Sequence, residues 1–234
     1  MSSFNLRLNE RITSLKSHLC VGLDISNSSF NNSNIELKKL KDHAKKVVES
    51  TRDLVVAYKP NFAFFEKWGS KGYQWLEEIV EFIGDDIIKI ADAKRGDIGN
   101  TATQYAESIF GHFGFDAVTL SPYMGWDSIA PFVADEKKGA FILCKTSNAS
   151  SKDFQNLSIE NEKLLCEKWF NGQKEESEIV TEFLNQENLK DIKGIYMRED
   201  FESRLLLSAK IKISLKVHPI TFQVFKILCL PSLK

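Results

Sequence analysis

The chain has 234 residues, of which 43% are hydrophobic and 27% charged, and its 31 Lys and Arg against 32 Asp and Glu leave a formal net charge of -1. That balance excludes a disordered chain and provides no basic footprint for nucleic acid. The length suits one α/β domain with a substantial core.

In chain order, Phe4, Leu6, Leu8, Ile12 and Leu15 recur near helical spacing, and "HLCVGLD" follows as a short buried strand. Leu37, Leu40, Ala44, Val47 and Val48 mark one face of a Lys-rich helix, after which the strand "LVVAY" ends on Lys59 and Pro60. Tyr73, Leu76, Ile79, Val80 and Ile83 predict another helix, stopped by Gly84, and "DIIKIAD" is the third strand. Asn100 or Thr101 is the expected cap of a helix running to Gly111, "FDAVTLSP" the fourth strand and "GAFILCKTSN" the fifth. Strands alternating with helices imply a parallel sheet, because parallel neighbours need crossover connections.

Each strand runs into a polar residue: Asp24, Lys59, Asp92, Ser121 and the turn from Thr146 to Asn148. In a TIM-type (β/α)8 barrel those strand ends converge on one rim, where active sites sit. A doubly wound sheet also alternates, but its G-x-G-x-x-G fingerprint is missing here. The expected fold is therefore the barrel, as one domain over 1–234. Ten of the twelve glycines lie at or before Gly139, which leaves the final part poorly punctuated. Helical patterns at Leu164 to Phe170 and Ile179 to Leu184, a sixth strand at "IKGIYM", and the apolar runs "AKIKISLKV" and "FQVFKILCL" can be read there. Only "HPIT" separates the last two, too little for a crossover helix. The last two or three β/α units are expected to be irregular or incomplete.

The amino terminus carries charges where a secretion signal needs an apolar core, and the run "FQVFKILCLP" is broken by Lys226. A cytoplasmic location with no membrane partner is expected. Cys20, Cys144, Cys166 and Cys229 are scattered without a C-x-x-C pair, as are His18, His43, His112 and His218. The expectation is buried, reduced thiols and no protein-only metal site.

The segment "DAKRGDIGNTA" concentrates the chemistry. On an extended strand residues i and i+2 face the same way, so Asp92 and Lys94 are expected to point together into the barrel mouth. Asp97 supplies a second anion from the following loop, and Lys59 a second cation from the neighbouring strand. Fixed charges in a low-dielectric pocket act strongly: a carboxylate raises the energy of an anionic group held beside it, and an ammonium can protonate a developing carbanion. The other reading of the same spacing is a solvated ion-pair cluster. Arg95, Gly96 and Asp97 also spell the adhesion tripeptide RGD, for which a strand end is a poor context. Phe62, Phe64 and Phe65 are expected to pack under the rim, and Trp68, Trp75 and Trp126 in the core or an interface.

These motifs resemble the orotidine 5'-phosphate decarboxylase family, in its longer-chain bacterial form. "DAKRGDIGNTA" resembles the signature around the family's catalytic lysine, while "VGLD", "YKPNFAFFE", "SPYMG" and "CKTSN" resemble its other strand-end motifs in the same order, over roughly the first 170 residues. The resemblance implies decarboxylation of orotidine 5'-monophosphate to UMP in pyrimidine biosynthesis, without metal or organic cofactor, by a homodimer with shared active sites. It makes Lys94 the proton donor to C6 and Asp92 the carboxylate set against the leaving group. It places Lys59 and Asp24 at the network and the ribose, Asp97, Ile98 and Thr101 in the partner's site, and Ser147 at the pyrimidine. The family's P-G-[VI]-G-x-Q-like phosphate loop and its later arginine are not found after about Trp169, so residues 171–234 form a divergent tail. Two other functions fit: an impaired homologue that serves as a nucleotide-binding or structural dimer partner, and a magnesium-dependent sugar-phosphate enzyme sharing D-x-K-x-x-D. The continuation "RGDIGNTA" favours the nucleotide branch.

Overall fold

The computed structural model describes residues 2–30, 35–143, 146 and 148–158. Five strands, β1 (Cys20–Gly22), β2 (Ala57–Lys59), β3 (Ile88–Arg95), β4 (Ala117–Leu120) and β5 (Gly139–Ile142), form one parallel sheet in the order β1-β2-β3-β4-β5. A doubly wound sheet reverses its strand order at a switch point. Here every strand pairs with its chain neighbour, which is the winding of a TIM-type (β/α)8 barrel. The sixth strand expected at "IKGIYM" and the patterns beyond it lie outside the described residues, as does the question of closure.

Helix α1 (Phe4–Leu15) precedes β1, and α2 (Leu37–Thr51) links β1 to β2. Between β2 and β3 come α3 (Phe62–Glu66) and α4 (Ser70–Ile83); α5 (Gly99–Ala106) follows β3, α6 (Ala130–Val133) follows β4, and α7 (Ser151–Phe154) follows β5. The buried faces have helical spacing: Leu40, Ala44, Val47, Val48 and Thr51 on α2, and Trp75, Leu76, Ile79, Val80 and Ile83 on α4. Each large apolar side chain so buried contributes roughly 1.5–3 kcal/mol. Tyr58 points outward from β2 into this layer, where its hydroxyl meets Thr51 Oγ1 (2.7 Å) and donates to the Val48 carbonyl (2.9 Å). No helix among the described residues is long and apolar enough to cross a membrane.

Alternation sends the other side chains inward. Cys20, Ala57, Ile88, Ile90 and Ala117 form a second apolar cluster with Phe4 and Leu8 of α1, so α1 plugs the amino end of the strands. Its arginines fasten it there. Arg7 pairs with Asp116 (2.8 Å) and donates to the Lys137 carbonyl (2.8 Å), while Arg11 donates to the carbonyls of Asp86 (2.8 Å) and Val55 (3.0 Å). All four acceptors lie just ahead of β2, β3, β4 or β5. The plug fits because residue 139 is glycine: a Cβ there would stand 2.4 Å from Phe4 Cε1.

Two expectations are corrected around α5. Neither Asn100 nor Thr101 caps it; Ile98 is the N-cap, without a side-chain bond, and Gly99 the first helical residue. The Asp97 carboxylate is taken by the adjacent Ile98 N–H (2.8 Å) instead of reaching into the first turn. Nor does one α-helix run to Gly111, because Glu107–His112 is a π-helical segment whose last residue, His112, pairs with Glu77 of α4 at 2.7 Å. Helix α3 was not legible as a helix; Asn61 starts it, its side chain accepting from Ala63 N (3.2 Å), and it buries Phe62 and Phe65.

Candidate active site

One inward step above the plug, strand parity replaces the apolar layer with a polar one. Lys59 stands two residues past Ala57, Asp92 two past Ile90, and Thr119 two past Ala117. All three are buried, Asp92 with 4% of its side chain exposed. Lys59 Nζ pairs with Asp92 Oδ2. Lys94 Nζ pairs with Asp92 Oδ1 at 2.5 Å, and the Thr119 hydroxyl lies 3.2 Å from the same oxygen. The Lys94 side chain is 46% exposed, so it links the buried carboxylate to the surface at the carboxyl ends of the strands.

Burial pushes the Asp92 carboxyl up, but Lys59 and then Lys94 pull it further down, leaving it below the usual carboxylate range and ionised at neutral pH. Asp24, two residues past β1, responds in the opposite direction. Burial raises it, Lys59 lowers it and Asp92 raises it again, so that it sits above the usual range, with Oδ1 buried and without a hydrogen-bond partner among the described residues.

Lys94 reaches Asp92 by a route that regular strand alternation does not describe. The β3–β4 register passes from Ala91↔Val118 to Arg95↔Leu120, four residues against two, and Lys94 has φ 47°. This left-handed conformation costs a non-glycine residue about 1–2 kcal/mol. The expected sharing of one face of an extended strand is therefore corrected: the two side chains meet across a bulge. The Ala93 and Lys94 amides both donate to Thr119 Oγ1 (3.1 and 3.0 Å). Beyond the bulge, Arg95 pairs with Glu66 (3.0 Å) and lies over the rings of Phe62 (5.2 Å) and Tyr105 (4.9 Å). Gly96 presses on Ser121, whose carbonyl oxygen would be 2.8 Å from an added Cβ. The RGD tripeptide is thus built into the strand end.

Of the remaining expected site residues, Asp97 makes no ion pair with Lys59 or Lys94 among the described residues, and its carboxylate turns to its own loop. Ile98 is 56% exposed, and Thr101 is exposed on the first turn of α5. Ser147 lies outside the described residues. Trp75 is core and Trp68 packs against it, whereas Trp126 is 39% exposed. Thr119 went unnoticed in the sequence; its signal was a hydroxyl inside the apolar run "FDAVTL". No group of three His, Cys, Asp or Glu that could hold a metal occurs among the described residues.

The site is thus a buried, ionised carboxylate gripped by two ammonium groups, one buried and one half-exposed. It can repel an anionic group held against Asp92 and deliver a proton from Lys94. A curated orotidine 5'-phosphate decarboxylase from Flavobacterium johnsoniae is 40% identical over 199 residues, 83% of this chain and 70% of that protein. One from Herpetosiphon aurantiacus is 44% identical over 160 residues, 64% of this chain and 56% of that protein. The solved Leishmania donovani OMP decarboxylase superposes with a TM-score of 0.64 at 42% identity, over 71% of this chain and 62% of that one. The chain thus spans little more than half the length of some of these relatives. The model of the "Orotidine 5'-phosphate decarboxylase / HUMPS family" matches residues 17–202, well over half of the sequence and all of the polar layer, and the chain belongs to that family.

Proposed function

We propose that this chain decarboxylates orotidine 5'-monophosphate to UMP. The observation that carries the reading is the buried Asp92 carboxylate held between Lys59 and Lys94. In the proposed reaction the substrate carboxylate is set against Asp92. Two unit charges about 4 Å apart at an effective dielectric of about 20 interact by about 4 kcal/mol. Relieving that repulsion as carbon dioxide leaves corresponds to roughly a thousandfold in rate, at ~1.4 kcal/mol per tenfold. The C6–carboxylate bond breaks, its electron pair stays on C6, and a proton from Lys94 Nζ completes UMP. Lys59 holds Asp92 ionised throughout, with Asp24 beside it for the ribose and Ser147 for the pyrimidine. Because the Asp97 carboxylate accepts from the amide of its own neighbour Ile98, we assign it, with Ile98 and Thr101, to the site of a second copy in a homodimer. The single-domain organisation over 1–234, a cytoplasmic location and the absence of any cofactor belong to the same reading.

The names of the curated relatives favour this over a magnesium-dependent sugar-phosphate reaction. Loss of orotidylate absorbance with purified protein tests it, run in excess chelator and again with added magnesium. Turnover in chelator is the expected result. No turnover in either condition overturns the reading, and activity on a sugar phosphate that needs magnesium replaces it.

A further inference from the structure

We infer that Thr119 is a positioning residue that holds the Lys94 bulge and aims the ionised Asp92. The inference rests on the proposed decarboxylation only for its kinetic consequence. A threonine hydroxyl has two acceptor lone pairs and one proton. At Thr119 both lone pairs are taken by the Ala93 and Lys94 amides (3.1 and 3.0 Å). The proton has two acceptors in reach, Asp92 Oδ1 at 3.2 Å and the Ala91 carbonyl at 3.5 Å. The nearer, charged oxygen takes it, since hydrogen bonds to ionised groups are the stronger. With both lone pairs filled the hydroxyl cannot accept from a protonated Asp92, so it can only favour the carboxylate.

The same atom secures the unusual backbone. Residues 92 to 94 bulge across from Thr119, and Lys94 occupies a conformation that persists only where its surroundings over-determine it. Ser121 N donating to the Arg95 carbonyl (2.7 Å) and the Arg95–Glu66 pair fix the far side. Thr119 fixes the near side, where the proton donor is attached. A slight displacement of a group that must meet one carbon atom is costly in rate. Among the described residues, the charged groups facing Asp92 are Lys59 from β2, Lys94 from the bulge and Asp24 beyond β1. Cys20, lower on β1, is neutral because burial pushes its thiol up to about 12.

The test uses the full chain with Thr119→Val, which keeps the shape and removes the hydroxyl, and Thr119→Ser, which keeps the hydroxyl. Amide exchange at Ala93 and Lys94 should be slow in wild type, at least about tenfold faster in Thr119→Val, and slowed again in Thr119→Ser. The carboxyl NMR titration of Asp92 should move to higher pH in the Val variant and return in the Ser variant. In turnover, kcat should fall about ten- to a hundredfold in Thr119→Val with KM changed little, and the acid limb of the pH profile should move the same way as the titration. Unprotected amides at both positions in wild type overturn the inference even if the Val variant does not fold. So does a Val variant with wild-type exchange and titration. If wild type shows no orotidylate turnover, the functional reading fails while exchange and titration still decide Thr119.

Discussion

The left-handed backbone at Lys94 makes a prediction in which glycine and alanine exchange their usual order. Lys94→Ala and Lys94→Gly both remove the ammonium and its 2.5 Å contact with Asp92, so that loss cancels between them. What differs is the backbone at φ 47°. A side chain with a Cβ is penalised there by about 1–2 kcal/mol, while glycine loses roughly 0.4–1 kcal/mol more through the freedom of its unfolded chain. Lys94→Gly should therefore be the more stable of the two by about 1 kcal/mol, or about 2–4 °C in Tm for a chain of this size. Urea unfolding and calorimetry of the two variants measure it. The same pair at Gln74, exposed in α4, is the control, and there alanine should be better by about 1 kcal/mol. An alanine variant at position 94 as stable as the glycine variant would refute the bulge geometry and with it the account of how Lys94 reaches Asp92.

Gly139→Ala should destabilise the protein by about 1–3 kcal/mol, because its Cβ would collide with the Phe4 ring, and Phe4→Leu should recover part of that loss in urea unfolding. Asp24→Asn should stabilise the chain at neutral pH. The raised Asp24 carboxyl costs stability once ionised, a cost that appears as pH rises past the unfolded value, so the advantage of Asn should vanish in acid while affinity for nucleotide weakens. Mixing inactive Asp97→Ala with inactive Lys94→Ala subunits should restore one working site per heterodimer; no recovery after confirmed exchange would place each site within one chain.

Much of this arrangement was legible in the sequence because strand alternation and helical spacing are strict. Lys59, Asp92 and the oily residues two steps below them follow from parity, and Gly84 ends α4 where the periodicity stops. The bulge at Lys94 was not legible, since it depends on a hydroxyl from another strand, nor was the Arg7 and Arg11 fastening of α1 to strand ends up to 130 residues away. The cap of α5 was misread because the helix already starts at Gly99, which puts Asn100 and Thr101 inside its first turn. Local patterns carry local geometry, whereas the bulge and the fastening of α1 are set by contacts across the fold.

We assign to Lys94 the protonation of C6 from its place beside Asp92. Its most direct test is UMP formation by wild type and Lys94→Ala under saturating orotidylate, with the affinity for UMP measured on the same preparations. Lys94→Ala should lose at least about a thousandfold in turnover, with UMP affinity kept within about tenfold. A variant that retains turnover within about tenfold of wild type would contradict it.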